Sequence, residues 1–430
     1  MDCDQSMFKQ KLRRSKMQSN RSKSIILHQI IQHIPGHLVN KLAKECKVDK
    51  KARTFSPFSH VVTMLYAQLS HALSLNDICD ALNNHAKSLF TVRRATAPSR
   101  NGLSYANKER NADMAERLFW EVLGSFKSKY PAFMKFDYAK GVLKRFKRVI
   151  NVVDSTTIQL VANCMDWAKH RKRKAAAKCH MRLDLQTFLP KFAIVDSAKH
   201  SDPAKAYEVC SGIKEGEIVI FDKAYVDTVH LCELGRRGIF WVTRAKDNML
   251  YEIASNMKPS KAANILKDEL VTFTCPKTKE QYLEVFRRVE AKVIVDNQET
   301  IMVFITNNFD WSAGTICDLY KARWSIEAFF KQIKQTLQLS DFFGNSYNAI
   351  KWQIWTALLA YILLRLISSL NKWEHSFSRI FTLLRATLWS YADLKKLIES
   401  CGTASVKLRM RATPDQAYLP GVQWKRYGTA

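Results

Sequence analysis

Val149-Ile150-Asn151-Val152-Val153-Asp154 is the stretch on which the fold turns: β-branched residues run into a carboxylate, the pattern of a buried strand that carries an acid at its end. Downstream, Ala175–Gln186 and Leu189–Ser197 read as two more strands, with Pro190 at the start of the second. A helix is predicted from Asp202, with Pro203 at its first position, to about Cys210. Glu217-Ile218-Val219-Ile220-Phe221-Asp222 reads as a buried strand ending at a second carboxylate. A helix over Asp227–Arg237 stops at Gly238, and Ile239–Thr243 forms the next strand.

Three strands followed by helix, strand, helix and strand, with acids closing the first and fourth strands, predict an α/β fold with a ribonuclease-H-like catalytic core. In such a sheet ligands gather at strand ends. Residues 246–300 read as a β-rich insertion, with strands near Leu270–Cys275, Tyr282–Arg288 and Glu290–Val295. Thr300–Thr306 resumes the core and a long helix starts near Ser312. The expected organisation is a helical basic N-terminal DNA-binding region (1–140), a first core part (141–245), the insertion (246–300), and a second core part (301–370) holding the catalytic Glu helix. A helical C-terminal region and poorly structured tail (371–430) complete it.

Upstream, apolar residues recur at helical spacing over 25–34, 38–43, 58–92 and 111–130, with Asn76 a candidate cap and 97–102 a loop. The first sixty residues hold 13 Lys and Arg against 4 Asp and Glu. Across all 430 residues the formal charge is +29, which points to a polyanionic partner, nucleic acid before an anionic membrane. The ten cysteines form no CxxC pair, so neither a zinc module nor a disulfide scaffold is indicated. The chain start lacks a secretion signal's apolar stretch. The apolar stretch 352–370 is interrupted by Gln353, Thr356 and Arg365 and reads as a buried helix, with Trp352 and Trp355 as packing residues. No membrane association is expected, and the expected location is the cytoplasm, alongside nucleic acid.

Tyr320, Arg323, Glu327 and Lys334 stand at offsets 0, 3, 7 and 14, which on one ideal helix fall within roughly 60° of arc. Leu319, Ile326, Phe329, Phe330, Ile333 and Leu337 take the other side. By spacing alone this is a solvated face with an Arg323–Glu327 pair. With Asp154 and Asp222 at adjacent strand ends, Glu327 becomes the third carboxylate of one site. Hard divalent cations take oxygen ligands, and two of them suit exchange at a phosphodiester. Lys169-His170-Arg171-Lys172-Arg173-Lys174 reads as a cationic hairpin tip that grips DNA. Arg244 and Lys246 are further candidates for DNA contact.

These residues carry a resemblance. Val153-Asp154-Ser155-Thr156, Phe221-Asp222-Lys223-Ala224-Tyr225 and Tyr320-x2-Arg323-x3-Glu327-x6-Lys334 resemble the bacterial insertion-sequence transposases with an Asp-Asp-Glu triad, and more narrowly the family of insertion sequence four with its Tyr-Arg-Glu-Lys signature. The first 100 residues and Leu103-Ser104-Tyr105-Ala106-Asn107 resemble the small N-terminal domain of a subset of these enzymes.

The resemblance implies that Asp154, Asp222 and Glu327 are catalytic and ligate two Mg²⁺ (or Mn²⁺) ions. Tyr320, Arg323 and Lys334 would hold DNA. The implied activity is cut-and-paste transposition on double-stranded DNA, both terminal inverted repeats and target, through a hairpin intermediate and within a homodimeric synaptic complex. Lys178 and His180 match a Lys-x-His element and are expected near Asp154. The family's Asp-Arg-Gly-Tyr is Asp222-Lys223-Ala224-Tyr225 here. Phe273, Tyr282 and Phe286 are candidates for stacking on a flipped base. The competing readings are a catalytically inactive DNA-binding relative and a structure-specific nuclease of ribonuclease-H fold.

Overall fold

In a computed structural model, the structure describes residues 22–50, 52–134, 141–160, 169–171, 174–197, 202–258, 262–282, 284–295, 298–337 and 342–401. It is a mixed α/β protein whose strands form one ten-stranded sheet. The strands are β1 (Ile150–Leu160), β2 (Lys169–Arg171), β3 (Lys174–Asp184), β4 (Leu189–Ser197), β5 (Ile218–Phe221), β6 (Phe240–Arg244), β7 (Tyr251–Asn256), β8 (Ile265–Phe273), β9 (Phe286–Val295) and β10 (Gln298–Thr306). The order across the sheet is β2-β3-β1-β5-β6-β10-β9-β8-β7, with β4 also paired to β3. β1, β5 and β6 are parallel neighbours, whereas β3 and β10 run antiparallel to β1 and β6.

The parallel centre is buried on both faces, as crossover helices require. Ile218 and Ile220 join one core and Val219 and Phe221 the other. Between strands, α9 (Asp202–Cys210) and α10 (Thr228–Arg236) cover the second of these faces together with Trp241. Asp227 caps α10 by accepting from His230 N.

Residues 246–300 do not stand apart from the core. Strands β7, β8 and β9 extend the same sheet beyond β10, whose Ile305 pairs with Thr243 of β6. Of the two strands expected around 282–295, the structure makes one, β9. Tyr282 ends the short helix α11 (Pro276–Gln281), begun by Pro276. The extension is pinned by buried ion pairs: Arg287 grips both oxygens of Asp268 at 2.8 and 2.7 Å, and Arg288 holds Glu269 at 2.9 Å.

The N-terminal half is helical: α1 (Ile26–Ile31), α2 (Gly36–Glu45), α3 (Pro57–Ser70), α4 (Leu75–Asn84), α5 (Ala86–Phe90), α6 (Arg100–Glu109), α7 (Asp113–Lys129) and α8 (Pro131–Met134). Ser74, not Asn76, caps α4, and Ser99 starts α6 inside the expected loop. These helices wrap α14 (Tyr347–Leu370), which also reaches β4. Trp352 Nε1 donates to Arg110 O at 2.6 Å, and the buried His60 ring sits 4.3 Å from Trp352. Burial pushes His60 down to about 3, so it packs as a neutral ring bonded to Asn107. Among the described residues, α14 is the one helix long and apolar enough to cross a membrane, and 94% of its apolar window is buried inside the protein. Among the described residues two helices follow, α15 (Phe377–Thr387) and α16 (Leu394–Cys401). The expected tail beyond 401 lies outside the described residues.

Candidate active site

β1 and β5 pair in parallel with Val153 opposite Phe221, so the next residue on each strand, Asp154 and Asp222, leaves the ladder side by side. The two acids arrive there differently. The β5 strand stops at Phe221, and Asp222 caps a 3-10 turn, Lys223–Tyr225, by accepting from Lys223 N at 2.7 Å. The expected strand end at Asp154 is not one: β1 runs on to Leu160, paired among the described residues to β3 alone, and Asp154 sits where β5 has fallen away. Ala224 occupies its turn without positive φ, so the glycine frequent in the family is not needed for the backbone here.

Glu327 comes from beyond β10. The single long helix expected there is two segments, α12 (Ala313–Ala322) and α13 (Ser325–Lys331), followed by a π-helical turn, Gln332–Thr336. At the joint, the backbone N–H groups of Arg323, Trp324, Ile326 and Glu327 bond three residues back rather than four, and Ser325 Oγ caps Ala322 O. The tighter turn and the wider one shift the ideal 100° spacing, so the four signature residues do not form one exposed row. Tyr320 and Arg323 are buried while Glu327 is 60% exposed. The apolar side holds as expected, with Leu319, Ile326, Phe329, Phe330, Ile333 and Leu337 all buried.

One guanidinium ties the site together. Arg323 Nη1 donates to Asp154 Oδ2 at 2.9 Å and Nη2 to Glu327 Oε1 at 3.1 Å. Its charge lies 5.6 Å from the centre of the Tyr320 ring, whose hydroxyl donates to Asp222 Oδ1 at 3.3 Å. Three carboxylates distant in sequence thus share two partners. Asp154 is pushed up to about 6, by burial first, with Asp222 and Glu327 adding to it against the pull of Ser155 N and Arg323. Burial raises Tyr320 to about 12, so it stays protonated and donates.

This donor set fits hard divalent cations chemically, being all oxygen and carrying an anion, Asp154, that its surroundings hold back from ionising. Among the described residues no three acidic, imidazole or thiol groups lie close enough to hold one ion as they stand. Arg323 is the cation that spans Asp154 and Glu327 in this arrangement.

Strand alternation moves two expected neighbours away. Lys178 and His180 share a face of β3, and His180 pairs with Ser155, not Asp154. They belong to a second polar cluster on the opposite face of the sheet. There Asp202 accepts from Ser155 Oγ and from Lys178 Nζ, both at 2.8 Å, and His180 Nδ1 meets Tyr225 OH at 2.9 Å. Burial pushes His180 down to about 4, so it is neutral. In the sequence Asp202 presents itself only as a helix start. The signal that could have found it is a basic Lys-x-His pair on a buried strand, which needs an acid opposite.

The other expected DNA contacts are dispersed. Lys334 lies on the π turn, half-buried near Cys179, which faces the carboxylate side of β3. Lys169 and Arg171 form β2, and Lys174 opens β3, with Arg171 paired to Lys174 across the hairpin. Lys172 and Arg173 lie outside the described residues. Lys246 is spent on Val226 O. Phe273, Tyr282 and Phe286 pack on one another and on Trp241, each buried, so none can stack on a base without leaving the core.

A family described as "Transposase DDE domain" matches residues 145–363, and a domain of unknown function (DUF4372) matches 22–92. The Geobacillus stearothermophilus protein named "Probable transposase for insertion sequence element IS5377" is 30% identical over 242 residues, covering 55% of this chain and 61% of its own length. A Sinorhizobium fredii protein named as a transposase, y4zB, is 28% identical over 273 residues, 63% of this chain and 75% of its own. A piggyBac transposase solved as a synaptic complex with hairpin DNA overlays 89% of this chain and 80% of its own at a TM-score of 0.42 and 10% identity. Just over half of the chain, with every carboxylate of the site inside it, falls within the matched family, and the chain belongs to the family of DDE-domain transposases.

Proposed function

We propose that this chain is a transposase that cuts and rejoins DNA at the terminal inverted repeats of an insertion sequence, on a ribonuclease-H-like core. The reading of the core rests on strand order: β4, β3, β1, β5, β6 with β3 antiparallel and β1, β5, β6 parallel, extended by a β-rich insertion. The observation that carries the function is the fork of Arg323 between Asp154 and Glu327, with Tyr320 on Asp222. Three residues of the signature and both strand acids meet at one spot, on the sheet face against which α13 packs.

Asp154, Asp222 and Glu327 would hold two Mg²⁺ or Mn²⁺ ions, whose Lewis acidity activates the attacking oxygen and stabilises the leaving one. In cleavage, a water oxygen bonds to phosphorus, the bond to the 3′ oxygen breaks, and a 3′-hydroxyl is released. In strand transfer that hydroxyl attacks a target phosphodiester. One P–O bond forms and one breaks each time. Arg323 has the planar fork suited to a phosphate, and Lys334 supplies a point charge. Tyr320, held protonated, positions Asp222. The basic β2–β3 hairpin would grip DNA beside the cut. Two ends cut in concert call for a homodimeric synaptic complex in the cytoplasm, at the nucleoid, and a hairpin on the transposon end is the proposed intermediate.

The test uses labelled duplex from the DNA flanking the gene. Asp154→Asn and Glu327→Ala should bind it like wild type and fail to nick it in Mg²⁺. Nicking at the wild-type rate by either variant would refute the triad.

A further inference from the structure

The α6 helix presents Gly102, Tyr105, Ala106 and Glu109 at offsets 0, 3, 4 and 7, a single face. Opposite it the segment following α2 carries Lys47, Lys50 and Arg53, and the two walls enclose a recess of about 430 Å³. Its floor is fixed. Arg110 reaches across from the end of α6 to the Phe55 and Ser56 carbonyls, and its guanidinium lies over the Phe55 ring. The carbonyl of Arg110 in turn accepts from Asn348 and Trp352 of α14, the helix that packs on β4. The recess is therefore rigidly joined to the framework that holds the carboxylates.

Its chemistry is that of a site for a charged polymer. Arg110 is spent on backbone carbonyls, and among the described residues Glu109 is the one acid in the lining. Lys47, Lys50 and Arg53 are exposed, and among the described residues none of the three is in an ion pair. Tyr105, on the facing α6 wall of the same recess, stands 55% exposed, an aromatic ring left in water. Surface aromatics flanked by Lys and Arg are how proteins take hold of a nucleic-acid strand: cations on phosphates, ring on a sugar or base. Lys47 follows the end of α2 with a left-handed backbone (φ 57°), the turn at which the helix stops and the cationic segment begins.

We propose that this recess is a docking point for the backbone of a DNA strand, with phosphates on Lys47, Lys50 and Arg53 and a sugar or base against Tyr105. This rests on the reading of the chain as a DNA-acting enzyme and adds where, away from the carboxylates, the strand is held. A free nucleotide shares the phosphate chemistry. DNA is favoured because the cations are spread along a segment rather than focused on one point.

Anisotropy titrations of a fluorescent duplex from the flanking DNA, without divalent ion and over a range of salt, test the assignment. Lys50→Gln with Arg53→Gln should lower the slope of log affinity against log salt by about two, one for each phosphate left without its cation. Tyr105→Ala should weaken binding roughly fivefold or more with the slope unchanged. All three side chains are exposed, so melting curves should match wild type. A wild-type slope in the double variant, or wild-type affinity in Tyr105→Ala, overturns the proposal. If wild type nicks the duplex in Mg²⁺ while the double variant keeps its slope, the recess alone is wrong; a wild type that neither binds nor nicks refutes both readings. Tight binding of labelled ATP that the double variant loses, with DNA binding intact, would assign the recess to a free nucleotide instead.

Discussion

Replacing Asp154 with Asn should stabilise the metal-free protein, and only at neutral and higher pH. Burial and two neighbouring carboxylates raise Asp154 from its ordinary 3.8 to about 6. Between those values the folded chain binds a proton that the unfolded chain has lost, so unfolding becomes easier as pH rises through the window, and the effect is complete above pH 6. A shift of about two units corresponds to roughly 3 kcal/mol. The side chain is 17% exposed, and water screens part of that, leaving about 2 kcal/mol. Asn keeps an acceptor oxygen for Ser155 N and Arg323 Nη1, and Glu327 still neutralises the guanidinium. With unfolding entropy scaled to 430 residues, the variant should melt about 2–3 °C above wild type at high pH and level with it below about pH 4. The measurement is far-UV circular dichroism melting of both proteins in EDTA, where titrating groups remote from Asp154 cancel in the difference. Adding Mg²⁺ should then stabilise wild type, by about 2.7 kcal/mol at a hundredfold excess over Kd, and leave D154N unmoved. A gap that is constant with pH, or a wild type that gains on the variant as pH rises, would refute the buried-carboxylate account.

Lys334→Ala should weaken binding of flanking DNA and lower the salt slope by about one, measured by anisotropy; an unchanged slope would take Lys334 off the DNA. Arg287→Ala strands Asp268 in the interior and should cost about 3–5 kcal/mol in denaturant unfolding, whereas replacing both with apolar residues of similar size should be near neutral. Trp352→Ala removes a fully buried ring and its bond to Arg110 O, and should lower stability by about 3–5 kcal/mol in the same assay.

The parallel centre of the sheet was legible because Ile150–Val153 and Ile218–Phe221 are unbroken apolar runs but for Asn151, which is what burial on both faces demands. Once those strands are neighbours, the equal distance of Asp154 and Asp222 from the ends of the runs puts the two acids side by side. The helix joint at Arg323–Trp324 was not legible. The apolar spacing continues through it unbroken, and only packing of both segments on the sheet sets the tighter turn that turns Arg323 inward. Nor did spacing show that the N-terminal helices would close around α14 and share one core with the sheet.

Lys178 and His180 make the subtler case, because only half of what places them is written in the sequence. In a strand successive side chains point to opposite faces, so a residue pairing with Ser155 cannot share the side of Asp154. What the sequence could not give was the register that pairs His180 with Ser155, fixed by long-range pairing of β3 between β1 and β4. The consequence is functional. The sheet separates an acidic site forked by Arg323 from a closed cluster in which Asp202 already neutralises Lys178. The two faces are nevertheless coupled: Tyr225, which meets His180 in the closed cluster, is pushed up by burial first and also by the charges of Asp202 and Asp154.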